Sequence, residues 1–197
     1  MKLLPLLQAT LGAALLSVTL STSAAPAPAA PSNDPNTYSS QEIITKANDL
    51  FGATTEGLAR AIEHVFQEKG RPNGYITGEE GGGAVVVGLR YGQGNLYMKS
   101  TGNAATKVYW QGPSVGFDFG GNASKVFTLV YNLPNTEGIY QRFPGVDGSL
   151  YVVAGISVNY QQNGRVILAP MRTGVGLRAG ANVGYLSYSK ERSILPF

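Results

Sequence analysis

A chain of 197 residues with formal charge +3 and 14% charged side chains is long enough for one cored domain behind a leader. The slight basicity, with Lys2 in the leader and no basic tract, excludes a nucleic-acid footprint. The lack of cysteine excludes disulfides, thiolate metal sites, cysteine nucleophiles and a lipoprotein anchor; the 26 glycines follow no three-residue period, which excludes collagen.

Met1-Lys2 supplies a minimal positive start, Leu3 to Leu20 is mostly apolar, and Thr22-Ser23-Ala24 places small residues where signal peptidase cuts. Residues 1–24 therefore read as a signal peptide cleaved after Ala24, and the protein is expected in the periplasm. Residues 25–38 begin with alternating Ala and Pro, which offers no core-forming side chains and reads as a tether.

Residues 39–72 read as helical. Ser39 and Glu42 fit a capping box, and Ile43, Ile44, Ala47 and Leu50 recur at helical spacing. Gly52 interrupts the run. Thr54 or Thr55 can cap a second helix whose apolar face is Leu58, Ala61, Ile62, Val65 and Phe66, with Gly70 and Pro72 closing it. His64 is the single histidine and lies off that stripe beside Glu63 and Glu68, so it reads as an exposed helix residue without metal partners.

Residues 73–197 read as short, glycine-broken strands. Gly74–Glu79, Gly83–Tyr91 and Asn95–Ser100 are the first three, with Gly92-Gln93-Gly94 as the boundary between the last two. Thr106, Val108 and Trp110 share a face, as do Phe127, Leu129 and Tyr131. Asn135–Gly148 is irregular and is a lid candidate or a crossover connection. Leu150–Gln161 reads as one long strand, Asn163-Gly164 signals a type I′ hairpin, and Pro170 marks an edge, bulge or bend. From Met171 to Ser189 the alternation leaves glycine repeatedly on one face, which permits strong curvature. About eight to ten antiparallel strands with short connections predict a mainly β fold, a small soluble barrel with one or two N-terminal helices packed against it.

Several short strings suggest chemistry. Gly112-Pro113-Ser114-Val115-Gly116 matches the nucleophile elbow, but a strand follows it and the only histidine lies upstream, so a hydrolase using Ser114 is the alternative and a Gly-Pro turn the simpler account. Asp118-Phe119-Gly120 lacks the rest of a kinase, and Gly174-Val175-Gly176 lacks the third glycine of a dinucleotide fingerprint. Glu79-Glu80 reads as a solvated turn, because neighbours on a strand cannot act together. Arg90, Trp110, Arg172 and Arg178 are the candidate ligand-binding residues. Arginines on strands can clamp a phosphate or carboxylate, and tryptophan can stack on a sugar or acyl chain; the competing roles are core for Trp110 and outer-face cover for the arginines. An integral outer-membrane barrel is a further alternative. Against it stand Pro196, Lys190-Glu191-Arg192 and the unsustained apolar alternation of the shorter strands.

Val108–Gly121, Tyr151–Tyr160 and Leu168–Leu177 resemble a bacterial periplasmic family typified by envelope integrity protein A, the likeness running from about Gln41 to the C-terminus. The resemblance implies a soluble β-barrel of about eight strands serving envelope integrity and stress resistance, with no catalytic residues or cofactor to carry over. A looser similarity to the SYLF lipid-binding domain, through Gly112–Gly116 and the glycine-rich final strand, turns the ligand expectation toward lipid. The sequence thus points to a non-enzymatic envelope factor that binds a lipid, a glycolipid or an envelope assembly partner.

Overall fold

A computed structural model describes residues 34–52, 56–82, 89–113, 124–173 and 184–193, all within one compact unit spanning residues 31–197. The leader, most of the linker, the Thr54 and Thr55 cap candidates, Ser114, Asp118, Arg178 and the glycines from Gly174 to Gly180 lie outside the described residues.

Helix α1 (Ser40–Phe51) starts as its sequence dictates. The Ser39 amide donates to Glu42 Oε2 at 2.8 Å and the Glu42 amide donates to Ser39 Oγ at 3.3 Å, closing the reciprocal cap. Gly52 ends it at φ +85°. Helix α2 (Glu56–Lys69) follows. Ile43, Ala47, Leu58, Ala61, Ile62 and Val65 are all buried, and each large aliphatic among them contributes roughly 1.5–3 kcal/mol by leaving water.

Among the described residues ten strands make one antiparallel sheet: β1 (Gly74–Gly82), β2 (Leu89–Met98), β3 (Ala105–Pro113), β4 (Ser124–Tyr131), β5 (Arg142–Pro144), β6 (Tyr151–Val153), β7 (Ile156–Val158), β8 (Gln161–Asn163), β9 (Val166–Thr173) and β10 (Tyr185–Ser189). Their order is β5-β10-β3-β2-β1-β4-β9-β7-β6, with β8 also paired to β9. A bridge between Gly145 and Gln161 joins the β5 end to β8. The sheet therefore curls back on itself, and the β6–β7 hairpin stands as a flap off β9.

Alternation divides the side chains between two cores. Inside the curl, Ile76, Leu96, Met98, Val108, Val130, Phe143, Leu168 and Leu186 belong to one buried cluster. Outside it, Phe127, Leu129 and Tyr131 of β4 join Ala169 and Met171 of β9 and the apolar faces of both helices. An apolar interior with helices over part of the exterior is the reverse of a membrane-spanning barrel, whose apolar band faces outward. Among the described residues no helix is long and apolar enough to cross a membrane.

Several boundaries differ from the sequence expectation. Gly92-Gln93-Gly94 does not separate two strands but lies inside β2. A Cβ on Gly92 would sit 2.1 Å from Trp110 Cε2, and one on Gly78 would sit 2.5 Å from Trp110 Cη2, so these glycines make room for the indole. Leu150–Gln161 is three short strands, not one, because Ala154 and Gly155 turn at φ +44° and +88°, the geometry of a tight hairpin. The hairpin at residues 163–166 forms, but its last pair is Asn163 with Val166. Gly164 alone takes positive φ there, at +57°, so the turn is not type I′, which needs two such residues. Pro170 sits in β9 where the β8 and β7 pairings leave a gap, a place where its missing N–H is tolerated. Residues 135–148 are no loose lid. A short 3₁₀ turn at Thr136–Ile139 and β5 bury Ile139 and Phe143 completely, and the Tyr188 amide donates to Gln141 O at 3.0 Å.

Candidate functional site

The two faces of β1, β2, β3 and β10 carry different chemistry, and the register fixes both. Directly opposed residues on antiparallel strands point to the same face. On the inner face the pairings run Glu80–Gly92–Trp110–Tyr188 across the four strands. On the outer face the adjacent row runs Glu79–Gln93–Tyr109–Ser189.

The inner row holds a closed ionic cluster. Glu80 is 6% exposed. Arg172 grips it with two bonds, Nε to Oε2 at 2.8 Å and Nη2 to Oε1 at 3.0 Å, the forked geometry of guanidinium on carboxylate. Trp110 Nε1 donates to Glu80 Oε1 at 2.8 Å across the side-chain-free Gly92. Arg90 Nε lies 3.6 Å from Glu80 Oε2, and Arg172 Nη1 donates to Asn159 Oδ1 at 3.0 Å. Burial would by itself raise the Glu80 carboxyl. The Arg172 and Arg90 charges, with the bonds from Arg172 and Trp110, outweigh that and lower it from 4.5 to about 2. Burial likewise opposes charge on Arg172, and Glu80 reverses the effect, raising its pKa.

Three of the four candidate binding residues, Arg90, Trp110 and Arg172, thus converge on a residue the sequence reading set aside. Trp110 is 3% exposed, a core position. Arg172 is turned toward Glu80 inside the curl and does not cover the outer face. Arg178 lies outside the described residues. Glu79-Glu80 is not a solvated turn; both belong to β1, Glu80 buried and Glu79 exposed. The signal that locates Glu80 was present in the chain, since Ile76, Gly78 and Glu80 alternate onto one face.

The outer row opens a cleft of 340 Å³ whose walls include Glu79, Tyr91, Gln93, Tyr109, Gln111 and Arg192. The helices pack over β4, β9 and the Tyr75 and Tyr97 positions of β1 and β2, and among the described residues no helix residue is part of the cleft walls. Thr77, Asn95 and Lys107 extend the same face in register. Amides, hydroxyls, one guanidinium, two phenol rings and the Glu79 carboxylate line it together with Glu80, Gly92 and Trp110 of the inner row, with no aliphatic side chain in its walls. Lys107 Nζ stands 5.5 Å from the centre of the Tyr109 ring.

His64 belongs to neither face. It is half-exposed on α2, with Nε2 3.2 Å from Glu68 Oε1 and its ring edge-on to Tyr151 at 4.6 Å. Glu68 accepts from the Tyr160 hydroxyl, so the histidine takes part in docking the β6–β7 flap. Among the described residues no group of three His, Asp or Glu side chains converges in a way that could hold a metal ion.

This helix-flanked antiparallel curl defines a β-barrel-like class. The structure is similar to a solved β-barrel-like protein from Brucella abortus, with 48% sequence identity over 82% of this chain and 99% of that chain and a TM-score of 0.75. The sequence model of the family described as envelope integrity protein A matches residues 36–197, and the chain belongs to that family. No curated protein matches it significantly in sequence.

Proposed function

We propose that this envelope-integrity protein acts in the periplasm as a non-catalytic binding protein whose ligand is an envelope lipid or glycolipid held at the outer cleft. One observation carries the reading. The strands that lock their inward charges onto one another present, on their opposite side, an open cleft beyond the cover of the helices. The ionic residues inside hold one another, and Glu79, Gln93, Tyr109 and Arg192 stand in the cleft walls on the opposite side. The 340 Å³ cleft falls at the small end of the roughly 300–1,000 Å³ typical of ligand sites. A hydrolytic role for Ser114 finds no support in the chain, whose only histidine is upstream and engaged with Glu68 and Tyr151.

The test is native mass spectrometry of the mature protein released from whole envelopes under mild conditions. A discrete bound mass, reduced in Tyr109→Ala, is expected. Reproducible recovery of the bare protein mass would overturn the reading and leave a scaffold for protein partners in its place.

A further inference from the structure

We infer that the outer cleft recognises the saccharide part of its ligand, as a short stretch of uncharged or N-acetylated sugar, rather than a phosphate headgroup or an acyl chain. The inference rests on the binding function proposed above and adds the chemical class.

The lining decides between the classes. An acyl chain needs aliphatic walls, and the cleft has none. A phosphate needs a net cationic clamp. Here Arg192 is balanced by Glu79 on the same wall, and among the described residues neither charge is used up by an ion pair. A sugar ring has two kinds of surface, and the cleft carries a match for each. Its C–H faces are apolar and bear slight positive charge, which suits the negative face of a phenol ring. Tyr91 and Tyr109 supply two such rings on adjacent strands. Its hydroxyls each donate and accept, which suits amide side chains that do both. Gln93 is exposed and directly opposed to Tyr109, so that ring has an amide beside it in register, whereas Gln111, opposed to Tyr91, is buried. Glu79 is paired with Gln93 across β1 and β2 and adds acceptors at the rim. These side chains stand on three hydrogen-bonded strands, and the buried Glu80–Trp110 contact lies directly beneath them. The site is therefore pre-formed, which limits the ordering cost of holding a flexible glycan.

The experiment uses the mature protein labelled with ¹⁵N. It is titrated separately with oligosaccharides released from the bacterium's peptidoglycan by muramidase, oligosaccharides released from its lipopolysaccharide by mild acid, and phosphatidylglycerol–phosphatidylethanolamine bicelles. Saturable shifts of the amides of Tyr91, Gln93, Tyr109 and Arg192 with either sugar pool are expected, and the pool that acts identifies the source. Tyr109→Ala should weaken that binding about tenfold while its remaining spectrum stays that of the parent. Gln93→Ala, at an exposed position, should weaken it with less risk to the fold. Shifts of the same amides with bicelles and neither sugar pool would overturn the saccharide inference and leave the ligand-binding function standing. No shift in the cleft with any of the three would overturn both.

Discussion

Glu80 shows how much a single buried charge can demand of its neighbours. Its carboxylate is held by Arg172, Arg90 and Trp110, and removing it strands a guanidinium inside the sheet. Glu80→Gln should therefore cost about 3–5 kcal/mol of stability, measured by chemical denaturation. The pH dependence has a definite sign. The folded carboxyl is lowered from 4.5 to about 2, so its stabilisation is fully present above 4.5 and is lost as pH falls toward about 2. The denaturation midpoint of the parent should fall through that window, and Glu80→Gln should flatten the fall. Some slope will remain, because Glu42, hydrogen-bonded by Lys99 and the Ser39 amide, is also lowered to about 2. Gly92 sets a steric counterpart. Gly92→Ala places a methyl against the Trp110 indole and should destabilise by about 1–3 kcal/mol, with a shift in the fluorescence of the single tryptophan.

Elements were legible wherever local rules set them. The capping box of α1, the apolar stripes of both helices and the period-2 faces of β3 and β4 all follow from residues within one turn or one strand of each other. Glycine misled where its reason was distant. Gly92 and Gly94 resemble a strand break, but Gly92 serves a tryptophan on the neighbouring strand. The Ala154-Gly155 turn was hidden in an apolar run because alanine rarely takes φ +44°. It is held from outside: a Cβ on Gly57 of α2 would lie 2.2 Å from the Ala154 carbonyl oxygen. Gly57→Ala should therefore loosen the β6–β7 flap. Faster hydrogen exchange at Tyr151–Val158, with β1–β4 protection unchanged, would show it; unchanged exchange in the flap would contradict the contact.

For the whole molecule, the division of labour between the two faces could not be read from the chain. Arg172 and Glu80 are 92 positions apart, and the cleft needs the register of four strands to assemble. Alternation did place Trp110 on one face with Val108 and predict a curved sheet. It could not say that the helices would cover one side of the curl and leave the other to Tyr91, Gln93 and Tyr109. The account therefore separates two classes of variant: inner-face changes should act through stability, and cleft changes through function at unchanged stability.

The most direct measurement is complementation of a deletion strain under detergent or osmotic envelope stress by Tyr109→Ala combined with Gln93→Ala, at matched protein level and unchanged denaturation midpoint. The account predicts sensitivity close to that of the deletion strain. Full resistance restored by this folded cleft variant would contradict it.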